Sequence, residues 1–67
     1  MNTGLPKVGQ IWERDGLRRV IVDVKKISDF KENDYDVVWN RENGGKIYII
    51  WLPYWYRWSK KARLVDQ

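Results

Sequence analysis

The sequence predicts an all-β fold, a small, strongly bent five-stranded antiparallel barrel of SH3-like type. Three observations lead there. Large apolar residues recur at every second position through most of the chain, and turn dipeptides interrupt that alternation at short intervals. No stretch fits a helix of about twelve residues or more. A chain of 67 residues makes one domain, 1–67, and is short for the alternative, a five-stranded OB-like barrel.

The elements follow in order. After a lead-in containing Gly and Pro, residues 10–14 form the first strand, with Ile11 and Trp12 as its large side chains. Asp15-Gly16 suits the positive φ angles of a tight hairpin turn. Residues 18–27 then alternate, with Val20, Val22 and Val24 on one face. Arg19, Asp23 and Lys25 point the other way, joined by Ile21 and Ile27. That is a half-buried strand, to which β-branched side chains are suited. Residues 28–34 are polar and read as a loop, with Phe30 expected to fold back as a plug. Residues 35–41 alternate again and bring Tyr35, Val37 and Trp39 together.

Asn43-Gly44-Gly45 is the strongest turn signal and predicts a hairpin into residues 46–52. In that strand Ile47, Ile49 and Trp51 face one side, and Tyr48, Ile50 and Leu52 the other. Apolar residues on both faces imply a central strand, or one side covered by a partner. Pro53 cannot donate to a sheet ladder, so the strand ends or bends there. Residues 54–61 fit a helical turn in which Trp55 and Trp58 lie three apart, on neighbouring sides. Residues 63–65 close the chain with a short strand.

Composition narrows the chemistry. Such a short chain buries only about 60% of the surface its unfolded form exposes. It has no Cys and no His, so disulfides and the usual zinc frameworks are excluded. The five Trp are the expected substitute, each ring burying on the order of 200 Å². Trp12, Trp39 and Trp51 are expected to be mainly structural, with Trp55 or Trp58 beside them. Residues 1–7 do not resemble a signal peptide. The longest apolar stretch, residues 47–55, is broken by Pro53 and is too short to span a bilayer, so a soluble protein with no membrane association is expected.

Thirteen Lys and Arg against nine Asp and Glu give a net charge of +4, and the two signs are segregated. Asp29, Glu32, Asp34 and Asp36 cluster in the middle of the chain. Lys46, Arg57, Lys60, Lys61 and Arg63 occupy a second half with no acid between Asn43 and Val65. The same half holds six of the ten aromatic residues, Tyr48, Trp51, Tyr54, Trp55, Tyr56 and Trp58. So many large rings in one short segment cannot all be interior, and exposed rings beside cations make a binding face.

No catalytic site is read from the sequence. Ser-His and Cys-His pairs are impossible here. Asp34 and Asp36 share a strand face but lie at its loop end, which argues against an acid–base pair. Asp29, Glu32 and Asp34 lack the spacing of a calcium loop. No metal and no cofactor is expected.

The run Val8-Gly9-Gln10-Ile11-Trp12, then Arg19-Val20-Ile21-Val22 and the ending Arg63-Leu64-Val65, resembles small proteins encoded by bacteriophages and prophages. In these a "VGQ-aromatic" start opens an SH3-like barrel and an aromatic-then-"LV" segment closes it. The resemblance covers most of the chain as a layout. It implies a fold and a mobile-element origin, and with them the cytoplasm of a bacterial host cell, which the lack of Cys fits. The dense aromatic segment and the acidic loop depart from it, so no activity is carried over.

Two functions suit the aromatic and basic face. In the first it docks on a protein partner, a host or phage factor, through Tyr48, Tyr54, Trp55, Tyr56, Arg57, Trp58, Lys60 and Lys61; Tyr beside Arg is the pairing enriched in interface hot spots. The second apolar face of residues 46–52 would alternatively pair two copies into a homodimer. In the second function the face meets nucleic acid, with Arg18, Arg19, Arg57, Lys60, Lys61 and Arg63 on phosphates and an exposed ring on a base. The modest net charge and the excess of rings over clustered cations favour the protein partner.

Overall fold

The computed structural model describes residues 5–31 and 34–66. Five antiparallel strands form one sheet: β1 (Ile11–Arg14), β2 (Leu17–Lys26), β3 (Tyr35–Arg41), β4 (Ile47–Trp51) and β5 (Arg63–Asp66). A short helix, α1 (Leu52–Ser59), separates β4 from β5. Strand order is β4-β3-β2-β1-β5, so β1 to β4 run as a meander and β5 returns to the far side of β1. The sheet is bent but not closed. Its two edges are β4 and β5.

Local chemistry accounts for the lead-in, the first turn and the ends of the helix. Asp15 and Gly16 take φ of 54° and 81° between β1 and β2, the all-positive geometry that matches strand twist. In the lead-in, Gly9 also has positive φ, and its N–H bonds the Ile21 carbonyl at 2.9 Å. Gln10 is buried, and its Oε1 accepts from the Lys7 N–H at 2.8 Å and from Trp12 Nε1 at 3.1 Å. The Val-Gly-Gln-x-Trp run thus pins the entry to the sheet against the first core indole. Pro53 lies in the first turn of α1, where a missing N–H costs nothing. The helix begins two residues before the predicted segment and ends by tightening, with the Lys61 N–H bonded to the Trp58 carbonyl and the Ala62 N–H to the Ser59 carbonyl.

The core lies between α1 and the concave face of the sheet. Trp12, Ile21, Val37, Trp39, Leu52 and Trp55 form it, flanked by Val24, Tyr35, Tyr48, Ile50, Tyr56, Trp58 and Ala62. Trp55 drops from the helix into its centre, 1% exposed, and meets Trp12 edge to face at 6.0 Å. Trp12 and Trp39 are structural as expected. Trp51 is not: it is 43% exposed on the opposite, convex face, where its Nε1 donates to Asp34 at 2.9 Å.

Two further expectations are corrected. Val20, Val22 and Val24 do not share a core face. Ile21 pairs with Trp39 and Asp23 with Val38, so Val22 is an extra residue in a β-bulge. One inserted residue exchanges the faces of everything beyond it. Arg19 and Ile21 therefore face the core before the bulge and Val24 after it, while Val22 is exposed. Phe30 does not plug the loop; it is 98% exposed. Glu32, part of the acidic group, lies outside the described residues.

Candidate binding surfaces

The predicted aromatic and basic face is divided by the fold into two separate surfaces. The division follows from side-chain parity. On β4, Tyr48 pairs with Trp39 and Ile50 with Val37, both concave; Ile47, Ile49 and Trp51 pair with Asn40, Val38 and Asp36 on the convex side.

The convex surface is apolar and lies along an edge. Ile47 is 56% exposed and Ile49 67%, followed by Trp51. The Trp51 ring meets Tyr54 at 5.9 Å, and the Arg57 guanidinium lies 5.6 Å from the Tyr54 ring centre. Tyr54 and Arg57, three apart, continue the strip onto the exposed side of α1. The result is one strip, Ile47, Ile49, Trp51, Tyr54, Arg57, that runs up the edge strand and back along the helix.

The concave surface is a ladder of rings and cations. Tyr48 stacks on Trp39 with centroids 4.5 Å apart and planes 15° from parallel. The Arg19 guanidinium is sandwiched between Trp39 at 4.0 Å and Trp58 at 4.1 Å. Trp58 in turn lies 5.2 Å from Trp55. At the open end Arg41 and Lys46 lie 5.8 and 6.0 Å from the Tyr48 ring. Arg14 joins from β1, donating through Nη1 to the Trp58 carbonyl at 3.2 Å, where a cation also suits the negative end of the helix.

Electrostatics separate the cations that the sequence groups together. Arg18 and Arg63 converge on Glu13: Arg63 Nη2 donates to Oε1 at 2.7 Å and Arg18 Nε to Oε2 at 3.3 Å. Arg18 also donates to Glu42 at 3.1 Å. These bonds raise the Arg18 pKa and hold the Glu13 carboxyl below its ordinary value. Arg19 goes the other way. Burial first, then the charges of Arg14 and Arg41, pull its pKa down, and its Nη1 is buried without a hydrogen-bond partner.

The predicted site residues are therefore dispersed. Tyr54, Arg57, Lys60 and Lys61 are exposed on α1 and just beyond it. Tyr48 and Trp58 are half-buried rungs of the ladder, Tyr56 packs against the core, and Trp55 is interior, closed to any partner. Arg18 and Arg63 are ion-paired away from Arg19. The basic residues missed by sequence reasoning are Arg14 and Arg41, with Lys46 as a member of the same group. Their signal was present: Trp12-x-Arg14, Arg19-x-Ile21, Trp39-x-Arg41 and Lys46-x-Tyr48 each place a cation two positions from an inward residue, at the same end of four strands.

Asp34 is engaged with Trp51, and no group of three or more potential metal-ligating residues occurs among the described residues. No described helix is long and apolar enough to cross a membrane. No protein-family model, curated protein or solved structure matches the chain.

Proposed function

We propose that the chain is a non-enzymatic binding module of SH3-like type that docks on a protein partner, a host or phage factor, along the strip from Ile47 to Arg57. The strand order, with its return of β5 to β1 after a short helix, supports the SH3-like reading as an open form of such a barrel. One observation carries the function. β4 is apolar on both faces, which is the pattern of a central strand, yet it lies at the edge of the sheet. Of the two explanations for that pattern, a cover supplied by another molecule is the one that suits an edge position.

Edge strands are ordinarily protected by charge, proline or brevity, because exposed apolar edges pair with other chains. Here Ile47 and Ile49 stand in the open instead. Trp51 and Tyr54 add rigid rings, and Arg57 adds a cation at the rim, the composition found at the energetic centre of protein interfaces. A protein partner would bury the isoleucines and leave Arg57 to meet an acidic group.

The test is quantitative capture from host extract by tagged wild-type protein, Ile49→Lys, and Val8→Lys as a control at an exposed apolar site elsewhere. The specific partner should be lost with Ile49→Lys and kept with Val8→Lys. Equal recovery by all three proteins would remove this surface from consideration. Sedimentation in parallel identifies the case in which the partner is a second copy.

A further inference from the structure

We infer that Arg14, Arg19, Arg41 and Lys46, mounted on the rings of Trp39, Tyr48 and Trp58, form a second site, one that takes the phosphate backbone of a nucleic acid. This site lies on the concave side, opposite the convex strip, and does not depend on it.

One cross-strand pairing breaks a rule of sheets. Arg19 and Arg41 are direct cross-strand partners on β2 and β3. Like charges in that position destabilise a sheet, and opposite charges are the usual arrangement. Arg14 adds a third guanidinium to the group, since its charge acts on Arg19 along with that of Arg41. Lys46 stands with Arg41 at the Tyr48 ring. No carboxylate answers Arg19, Arg41 or Lys46 among the described residues. Among the described residues the one carboxylate near Arg14 is Asp15, 3.7 Å away on an exposed turn. The chain does have acids to spare for arginine, since Glu13 and Glu42 satisfy Arg18 and Arg63.

The cations are also preorganised. Arg19 is clamped between two indoles, and Arg14 is tethered to the helix terminus. Arginines fixed in this way lose little freedom on binding and present planar donor edges, a geometry that matches phosphate. An anion bound among these cations offsets their mutual repulsion.

A phosphodiester offers a charged group with acceptor oxygens that can serve two guanidiniums at once. Its repeated charge suits a row of cations that runs from β1 across β2 and β3 to Lys46, just before β4. An acidic peptide would favour exposed strand edges for backbone pairing, and those are β4 and β5, not the concave face. Asp29 and Asp34 in the β2–β3 connection and Asp36 at the start of β3 lie at the opposite end of the sheet from these cations, whereas Lys60 and Lys61 follow the helix whose terminus Arg14 meets. Two acids share the cationic end, Asp15 on its exposed turn and Glu42, which is engaged by Arg18.

Fluorescence anisotropy with a labelled oligothymidylate and a labelled hairpin duplex, each at low and at physiological salt, tests the site. Wild-type protein should bind at low salt with Kd of about 10⁻⁵ M or tighter and weaken at least about ten-fold at physiological salt. Arg41→Gln combined with Lys46→Gln should weaken binding about ten-fold or more. It should also reduce the slope of log affinity against log salt by roughly 1.4 on the single strand, about 0.7 for each lost phosphate contact. Lys7→Gln combined with Lys25→Gln removes the same net charge elsewhere and should leave affinity within about two-fold. Whichever of the two oligonucleotides binds more tightly identifies the strand form. The inference fails if neither binds at low salt, if both double variants lose affinity equally, or if polyglutamate displaces the oligonucleotide as well as polyphosphate does. The last result would assign the site to an acidic protein.

Discussion

Arg63 donates to Glu13 through Nη2 at 2.7 Å and through Nε at 3.0 Å, tying the last strand to the first across fifty positions of sequence. β5 is a short edge strand with all four of its residues exposed, and it pairs with β1 through an irregular register. Two donors of its first residue converge on one carboxylate oxygen, Glu13 Oε1, and mark where the strand joins β1.

The bond has a pH signature. Hydrogen bonds from Arg63 and then Arg18 hold the Glu13 carboxyl below its ordinary value of 4.5. A carboxylate whose folded pKa is depressed contributes stability above its unfolded pKa and loses it as pH falls through the folded one. Wild-type protein should thus lose stability progressively below about pH 4.5, and the Glu13→Gln variant should lose less over that interval. Thermal midpoints measured from neutral to strongly acidic pH check this. Parallel curves for the two proteins would show that Glu13 is not the linked group.

Core and surface tryptophans should separate cleanly. Trp55 is enclosed between Trp12 and Trp58, and Trp55→Ala should cost about 3–5 kcal/mol, enough to unfold a domain of this size under mild conditions. Trp51→Ala removes an exposed ring and one bond to Asp34, a loss of about 1 kcal/mol. Urea titration of both variants measures the difference. Equal losses would mean that the helix does not anchor the sheet through Trp55.

The order of elements was legible because alternation and turn chemistry are local. β3 occupies the predicted residues 35–41, and the Asp15-Gly16 turn falls where its φ preference demands. What could not be read was non-local. Nothing in the Val-Ile-Val run marks Val22 as surplus; the bulge is defined only by the partner strand, which pairs Ile21 with Trp39 and Asp23 with Val38. The same limit explains Trp51. Its parity with Ile47 and Ile49 was evident, but which face meets the helix depends on how α1 folds back after Pro53. The candidate binding residues dispersed for a related reason. Residues 48–58 look continuous in sequence, yet a strand and a helix divide them among a convex strip, a concave ladder and the core.

The β1–β2 turn offers a test of backbone geometry without side-chain packing. Gly16 has φ of 81°, and a Cβ built there meets nothing within 4 Å. Gly16→Ala therefore isolates the conformational cost of a left-handed residue, about 1 kcal/mol. The Gly16→Val cost should be larger, since a β-branched side chain tolerates positive φ less well. Chemical unfolding should rank wild type, Ala and Val in that order. Unchanged stability in both would show that the turn relaxes to another form.

The Arg19–Arg41 pair makes a prediction about stability that needs no ligand. If the two guanidiniums repel across the sheet, removing the outer one should help the fold. Arg41 is the exposed member, and its distant approach to Tyr48, 5.8 Å, offers only a weak compensating attraction. Arg41→Gln should therefore stabilise the protein at low salt by about 0.2–1 kcal/mol. In a domain of this length that is a rise of roughly 1–8 °C in thermal midpoint. Inorganic phosphate should raise the wild-type midpoint more than chloride at equal ionic strength, because an anion held between the arginines relieves what the substitution relieves. The variant should respond less to phosphate. A variant that melts below wild type at low salt would show that Arg41 is held there by attraction, and the concave cluster would then be a structural feature with its own internal balance.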